Sequence, residues 1–106
     1  MATDCQVTRW PHAAPPTRDQ IESAFRDLEL SGGWWSSSAG DIFSPHSHSY
    51  EKVLFCADGS IHFDIAPQGE SVAMTAGDRI VIPARTVHSA IVGPLGVTCA
   101  EASRPG

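Results

Sequence analysis

The chain has 106 residues, 42% of them hydrophobic, which suits one soluble domain with a single core. Its formal net charge is -5, so no basic face is available to neutralise several phosphates; nucleic acid and anionic membranes are not expected partners, and small molecules are. No window approaches the length of a bilayer span and no charged leader precedes an apolar run, so a cytoplasmic protein is expected.

Residues 1 to 16 carry Pro11, Pro15 and Pro16, which limit regular structure and read as an arm, mobile or laid across the domain. The period then becomes helical. Thr17 and Gln20 have capping-box spacing, Ile21, Ala24, Phe25 and Leu28 share one face, and Gly32 and Gly33 supply a stop. From Trp34 onward short apolar runs alternate with Gly, Pro, Asp and Ser, the pattern of antiparallel strands and tight turns. The expected strands are DIFSPHSH, YEKVLFCA, SIHFDIA, SVAMT, DRIVIPA, HSAIVG and GVTCAEA; ADGS, Ala57 to Ser60, carries an Asp-Gly hairpin signature, and APQGE and TAGD read as further turns.

So many short strands need a sandwich or a closed barrel, because an open sheet would leave unpaired edges. The division expected is an arm and helix over 1–33 packed on one barrel domain over 34–106. KVLFC and RIVIP are apolar on consecutive residues, so both faces of those strands must be covered, one by the helix and another by a second subunit in a homodimer. Cys5, Cys56 and Cys99 are odd in number and include no CxxC pair, which predicts reduced thiols.

His46 and His48 lie two apart, so on a strand both imidazoles leave one face, close enough to share a metal ion; alone, the pair reads equally as polar surface. GDRIVIPARTVH, Gly77 to His88, adds a glycine turn, a strand, a proline that ends it and another histidine. Together the two elements resemble the cupin superfamily. Gly40, His46, His48 and Gly59 match its first motif, and Gly77, Pro83 and His88 its second. The resemblance, which covers Trp34 to about Cys99, implies an all-β antiparallel jelly-roll barrel, with the N-terminal amphipathic helix as an addition. It also implies three inward histidines, His46, His48 and His88, holding one divalent transition metal: zinc, iron, copper, nickel or manganese.

Three positions depart from the family pattern. Arg85 replaces a glycine, which argues against a left-handed turn there, and Val92 replaces an asparagine. Counting back from Gly59, the family's glutamate ligand falls on Lys52 and not on Glu51. Strand parity agrees, since 46, 48 and 52 share a face while Glu51 points away unless a bulge intervenes. Lys52 at the edge of a three-histidine site, and Tyr50 with the same parity, are therefore the candidate catalytic residues, with a salt bridge or core cap as their plainer roles. Trp34 and Trp35 read as packing or interface residues, Cys56 as a buried thiol, and His62 as facing either pocket or solvent.

What the resemblance implies in function is a metal-dependent isomerase, lyase or dioxygenase acting on a small oxygenated or carboxylated molecule. The alternative is a non-catalytic module that binds a small ligand or senses a metal.

Overall fold

The computed structural model describes residues 5–66 and 69–105. A short strand β1 (Gln6–Thr8) and a helix α1 (Arg18–Asp27) precede β2 (Gly33–Ser37), β3 (Ile42–His46), β4 (Tyr50–Ile65), β5 (Glu70–Thr75), β6 (Arg79–Ile82) and β7 (His88–Pro105). Every strand pairing is antiparallel. The described part of the arm is thus laid across the domain: β1 pairs with β6 and covers its edge.

Two strands organise the barrel. The first half of β4 pairs with β6 and with the last residues of β7, and its second half pairs with β5 and with the first residues of β7. β7 is shared in the same way, taking β3 along its first half and β2 along its second. Both long strands therefore run through two packed layers, the jelly-roll arrangement expected.

The expected hairpin at ADGS does not form. β4 passes straight through Ala57 to Ser60, with register irregularities between Cys56 and Asp58 and between Gly59 and Ile61. Asp-Gly supplies a bend within one strand here, because the residues on both sides of it already have β7 as a partner. Gly59 has φ 76°, and a β-carbon there would overlap the Gly96 carbonyl across the pair. The irregularity also reverses parity. Leu54 and Cys56 point into the core before it and Ile61, Phe63 and Ile65 after it; on β7 the inward set changes from His88, Ala90 and Val92 to Val97 and Cys99. Cys56 and Cys99 stand opposite one another with no exposed surface.

The outer face of β4 and β7 is covered by α1, whose Ile21 and Phe25 pack on Val53, Phe55, Ala100 and Ala102. Phe25 meets Phe55 edge to face at 5.2 Å. The capping box forms in both directions, Gln20 N to Thr17 Oγ1 at 3.1 Å and Thr17 N to Gln20 Oε1 at 2.8 Å. The helix stops before the glycines. Leu30 N donates to Phe25 O and Glu29 N to Arg26 O with Glu29 at φ 60°, a Schellman cap built on a glutamate. Gly33 instead opens β2, a strand the sequence reading did not include.

TAGD turns as expected, Asp78 N donating to Thr75 O at 3.0 Å; APQGE lies partly outside the described residues. Buried Asp78 then pins the arm, accepting from Arg9 Nη1 at 2.9 Å, Trp10 N at 3.0 Å and Thr75 N at 3.0 Å. Burial alone would raise its pKa, but the two backbone donors and the Arg9 guanidinium hold it below the usual carboxylate range. The Trp10 side chain fills the space a β-carbon would need at Gly77, which has φ 94°.

Candidate metal centre

β3 ends on His46, β7 begins on His88, and the two are paired partners, so the register itself brings these imidazoles together. His48 follows in the short connection to β4. The three rings have centroid separations of 4.9, 4.4 and 5.3 Å, and one nitrogen from each falls within 4.8 Å of the others. The three sequence candidates are thus one cluster able to hold a metal ion.

Hydrogen bonding shows which nitrogens face inward. A backbone carbonyl only accepts, so His46 Nδ1, 2.7 Å from Ser44 O, and His88 Nδ1, 2.9 Å from Thr86 O, each carry the proton. Their Nε2 atoms then present lone pairs, the arrangement that orients imidazole ligands in metal proteins. Nε2 of His48 and of His88 are buried with no hydrogen-bond partner among the described residues. Buried ring nitrogens left without partners in one cluster fit a transition metal and are otherwise costly.

Electrostatics favour the same state. Burial lowers the His48 pKa, helped by the charges of Lys52 and His46 and opposed by Glu101. Burial also lowers His88, outweighing the bond to Thr86 O, with His46, Lys52 and His48 adding to the fall. Both shifts favour the uncharged imidazole, the form in which a ring nitrogen can bind a metal.

The loop before His88 is shaped by a residue of unexpected conformation. Arg85, in the family's glycine position, adopts φ 63°, and its N–H donates to His48 O at 2.6 Å. The left-handed turn persists without glycine, at a cost of about 1–2 kcal/mol, because this bond ties the loop to the residue that carries the second imidazole.

Beside the cluster lies a cavity of about 230 Å³ lined by Trp35, Phe43, His46, Lys52, Leu54, Ile61, Phe63, His88, Ala90 and Glu101. Lys52 is inside it and 9% exposed. Glu51 projects to the other side of the sheet, where it pairs with Arg104 at 2.9 Å. Tyr50 stacks on the His48 ring at 4.7 Å, outside the cavity lining. His62 lies outside the cavity, its Nε2 3.4 Å from Asp64.

Two cavity residues escaped the sequence reading. Glu101 follows Val97 and Cys99 on the inward face of β7, and its Oε1 accepts from Trp35 Nε1 at 2.8 Å and lies 3.6 Å from Lys52 Nζ. Trp35 pairs with Cys99, so it faces inward, packing edge-on to Phe43 at 5.7 Å. Both tryptophans pack as expected, Trp35 against the inner core and Trp34 on the outer face against α1, with its Nε1 3.1 Å from Glu22 Oε2. The available signal was the alternation Val97, Cys99, Glu101, which becomes readable once the parity reversal is known.

Residues 33–93, more than half the chain, match the family model described as the cupin domain. The chain belongs to the cupin family. An acireductone dioxygenase from Branchiostoma floridae is 36% identical over 50 residues, 44% of this chain and 28% of that protein. Acireductone dioxygenase 2 of Oryza sativa subsp. indica is 35% identical over 51 residues, 45% of this chain and 26% of the relative. The chain thus spans about a quarter of the length of these curated relatives. In fold it is similar to KdgF from Halomonas sp., with TM-score 0.60 and 23% identity over 73% of this chain and 69% of that one. It is also similar to an RmlC-like cupin from Shewanella frigidimarina, with TM-score 0.62 and 23% identity over 73% and 67% of the two chains.

Proposed function

We propose that this cupin is a metal-dependent enzyme acting on a small oxygenated or carboxylated molecule, with His46, His48 and His88 as the metal ligands. The observation that carries the reading is the pair of buried, unpartnered Nε2 atoms of His48 and His88 beside an apolar cavity. A bound divalent ion with three imidazole ligands would keep positions open for a substrate oxygen or dioxygen. The similarity to acireductone dioxygenases supports dioxygenation, alongside isomerisation and lyase chemistry, as a reaction to test.

Around such an ion the chain's own groups have separable tasks. Ser44 O and Thr86 O hold two imidazoles by their Nδ1 protons. Phe43, Leu54 and Phe63 exclude water from the cavity wall, and Lys52 places a cation where the family has a carboxylate. Tyr50, stacked on His48, sets that ring's tilt and is a weaker candidate for contact with substrate.

The proposal keeps one barrel domain carrying an N-terminal arm and helix, a cytoplasmic setting and a homodimer; exposed Ile42, Ile91 and Leu95 offer apolar surface to a second copy. Light scattering checks the last, and a monomer at micromolar concentration would remove it. The test of the function is elemental analysis of purified protein, followed by turnover assays with small acids and enediols on metal-loaded and chelator-stripped samples. Metal at less than a tenth of stoichiometry after loading, or equal turnover by both samples, would overturn the enzyme reading. Ligand binding without turnover would leave the sensing module in its place.

A further inference from the structure

His46 and His88 of the three-histidine cluster line a cavity that also holds Lys52, Glu101 and Trp35. Lys52 is nearly buried, with an aliphatic stem on β4 beside Leu54. Among the described residues its only ionic partner is Glu101, and the 3.6 Å separation from Nζ to Oε1 is too long for a hydrogen bond. That same oxygen is taken by Trp35 Nε1 at 2.8 Å. Glu101 therefore balances the charge of Lys52 without saturating its donors. Nζ makes no hydrogen bond to another described residue and its side chain keeps 11% of its surface open, so its N–H groups are available to an acceptor entering the cavity, and an anionic oxygen serves best, since charge-assisted hydrogen bonds are about twice as strong as neutral ones.

The rest of the lining defines what carries that oxygen. Phe43, Leu54, Ile61, Phe63 and Ala90 form a hydrocarbon wall. The volume, about 230 Å³, lies below the range of about 300–1,000 Å³ typical of sites for drug-sized ligands. Glu101 adds a fixed negative charge, which repels a second carboxylate in this low-dielectric space. His46 and His88 line the same cavity, so an oxygen on the carbon next to the carboxylate can turn towards the histidine cluster.

We propose that Lys52 is the substrate-anchoring residue, that it selects short monocarboxylates bearing an oxygen on the adjacent carbon and an apolar tail, and that Glu101, fixed by Trp35, rejects dicarboxylates. This deepens the proposed function and rests on its metal site. The specificity follows from charge placement: one cation to hold one carboxylate, one anion to turn a second away.

The experiment is calorimetric titration of metal-loaded protein with 2-hydroxybutyrate, its neutral amide 2-hydroxybutyramide, and the dicarboxylate malate. Wild-type protein should bind the acid about ten- to a hundredfold more tightly than the amide, the factor of one charged hydrogen bond. Lys52→Met should erase that preference while metal content, measured on the same sample, stays stoichiometric. Glu101→Gln should gain malate binding by about tenfold, with little change for the amide. Equal affinity of wild-type protein for acid and amide, or no detectable acid binding at millimolar concentration, would overturn the anchoring role without any variant needing to fold. An unchanged acid preference in Lys52→Met would overturn it as well. Failure of the underlying metal reading looks different: loss of metal from every sample, or identical acid binding by the loaded protein and by His46→Ala/His88→Ala.

Discussion

Acidification of the metal-free protein should weaken it in a window set by two buried imidazoles. His88 is 2% exposed, and burial depresses its pKa from an ordinary value near 6.5; His48 is depressed in the same direction. A histidine whose pKa is lower in the folded state binds fewer protons there than in the unfolded chain. Stability is therefore retained above pH 6.5 and lost as pH falls from 6.5 towards the folded-state values. For His88 the loss between pH 7.5 and 5.5 reaches up to about 1.4 kcal/mol, the free energy of one pH unit for one excluded proton. His48, more accessible to solvent, adds a smaller share in the same direction. Asp41 and Asp78 also have shifted pKa values, but both are lowered, so their contributions are lost only well below this window. Urea unfolding of chelator-stripped protein at pH 7.5, 6.5 and 5.5 measures the effect directly. A flat profile, a rise on acidification, or the same slope in a His48→Asn/His88→Asn variant would refute the reasoning.

Three other perturbations test separate parts of the molecule. His46→Ala or His88→Ala should abolish stoichiometric metal binding in elemental analysis, and a double variant that still holds one equivalent would remove the site. Lys52→Gln should tighten metal retention about three- to tenfold in a chelator competition, because a like charge leaves the cavity; unchanged retention would mean that Lys52 does not sense the ion. Phe25→Ala should cost about 3–5 kcal/mol in denaturant unfolding, since it removes a fully buried ring that joins α1 to Phe55; a cost below 1 kcal/mol would show that the helix is dispensable.

The parts of the fold that were legible in sequence are those encoded within a few residues. Thr17, Gln20 and the Ile21–Leu28 face encode α1 locally, and the apolar runs of β4 and β6 needed cover on both faces, which α1 and the core supply. The errors occur where a local signal met a nonlocal partner. Asp58-Gly59 would favour a hairpin in an isolated peptide, yet β7 runs alongside β4 through that point and keeps it one strand. Glu29 ended the helix in a conformation usually left to glycine, and Arg85 did the same before His88, where a tertiary hydrogen bond compensates. The histidines could be found because the spacing His46, His48 places both on one side and GDRIVIPARTVH adds the third. Glu101 and Trp35 could not, because their inward direction depends on a parity change that only the pairing of β4 with β7 creates.

The facing cysteines turn that pairing into a clock. With no surface exposed, Cys56 and Cys99 can meet a water-soluble thiol reagent only when the seam between β4 and β7 separates. Since these two strands hold both layers together, modification of the pair times the opening of the whole barrel, while half-buried Cys5 in the arm reacts on a schedule of its own. The rate at which the second and third thiols disappear is then a kinetic record of how long the molecule stays shut, and any ion or acid that seats at the histidines will be seen to lengthen it.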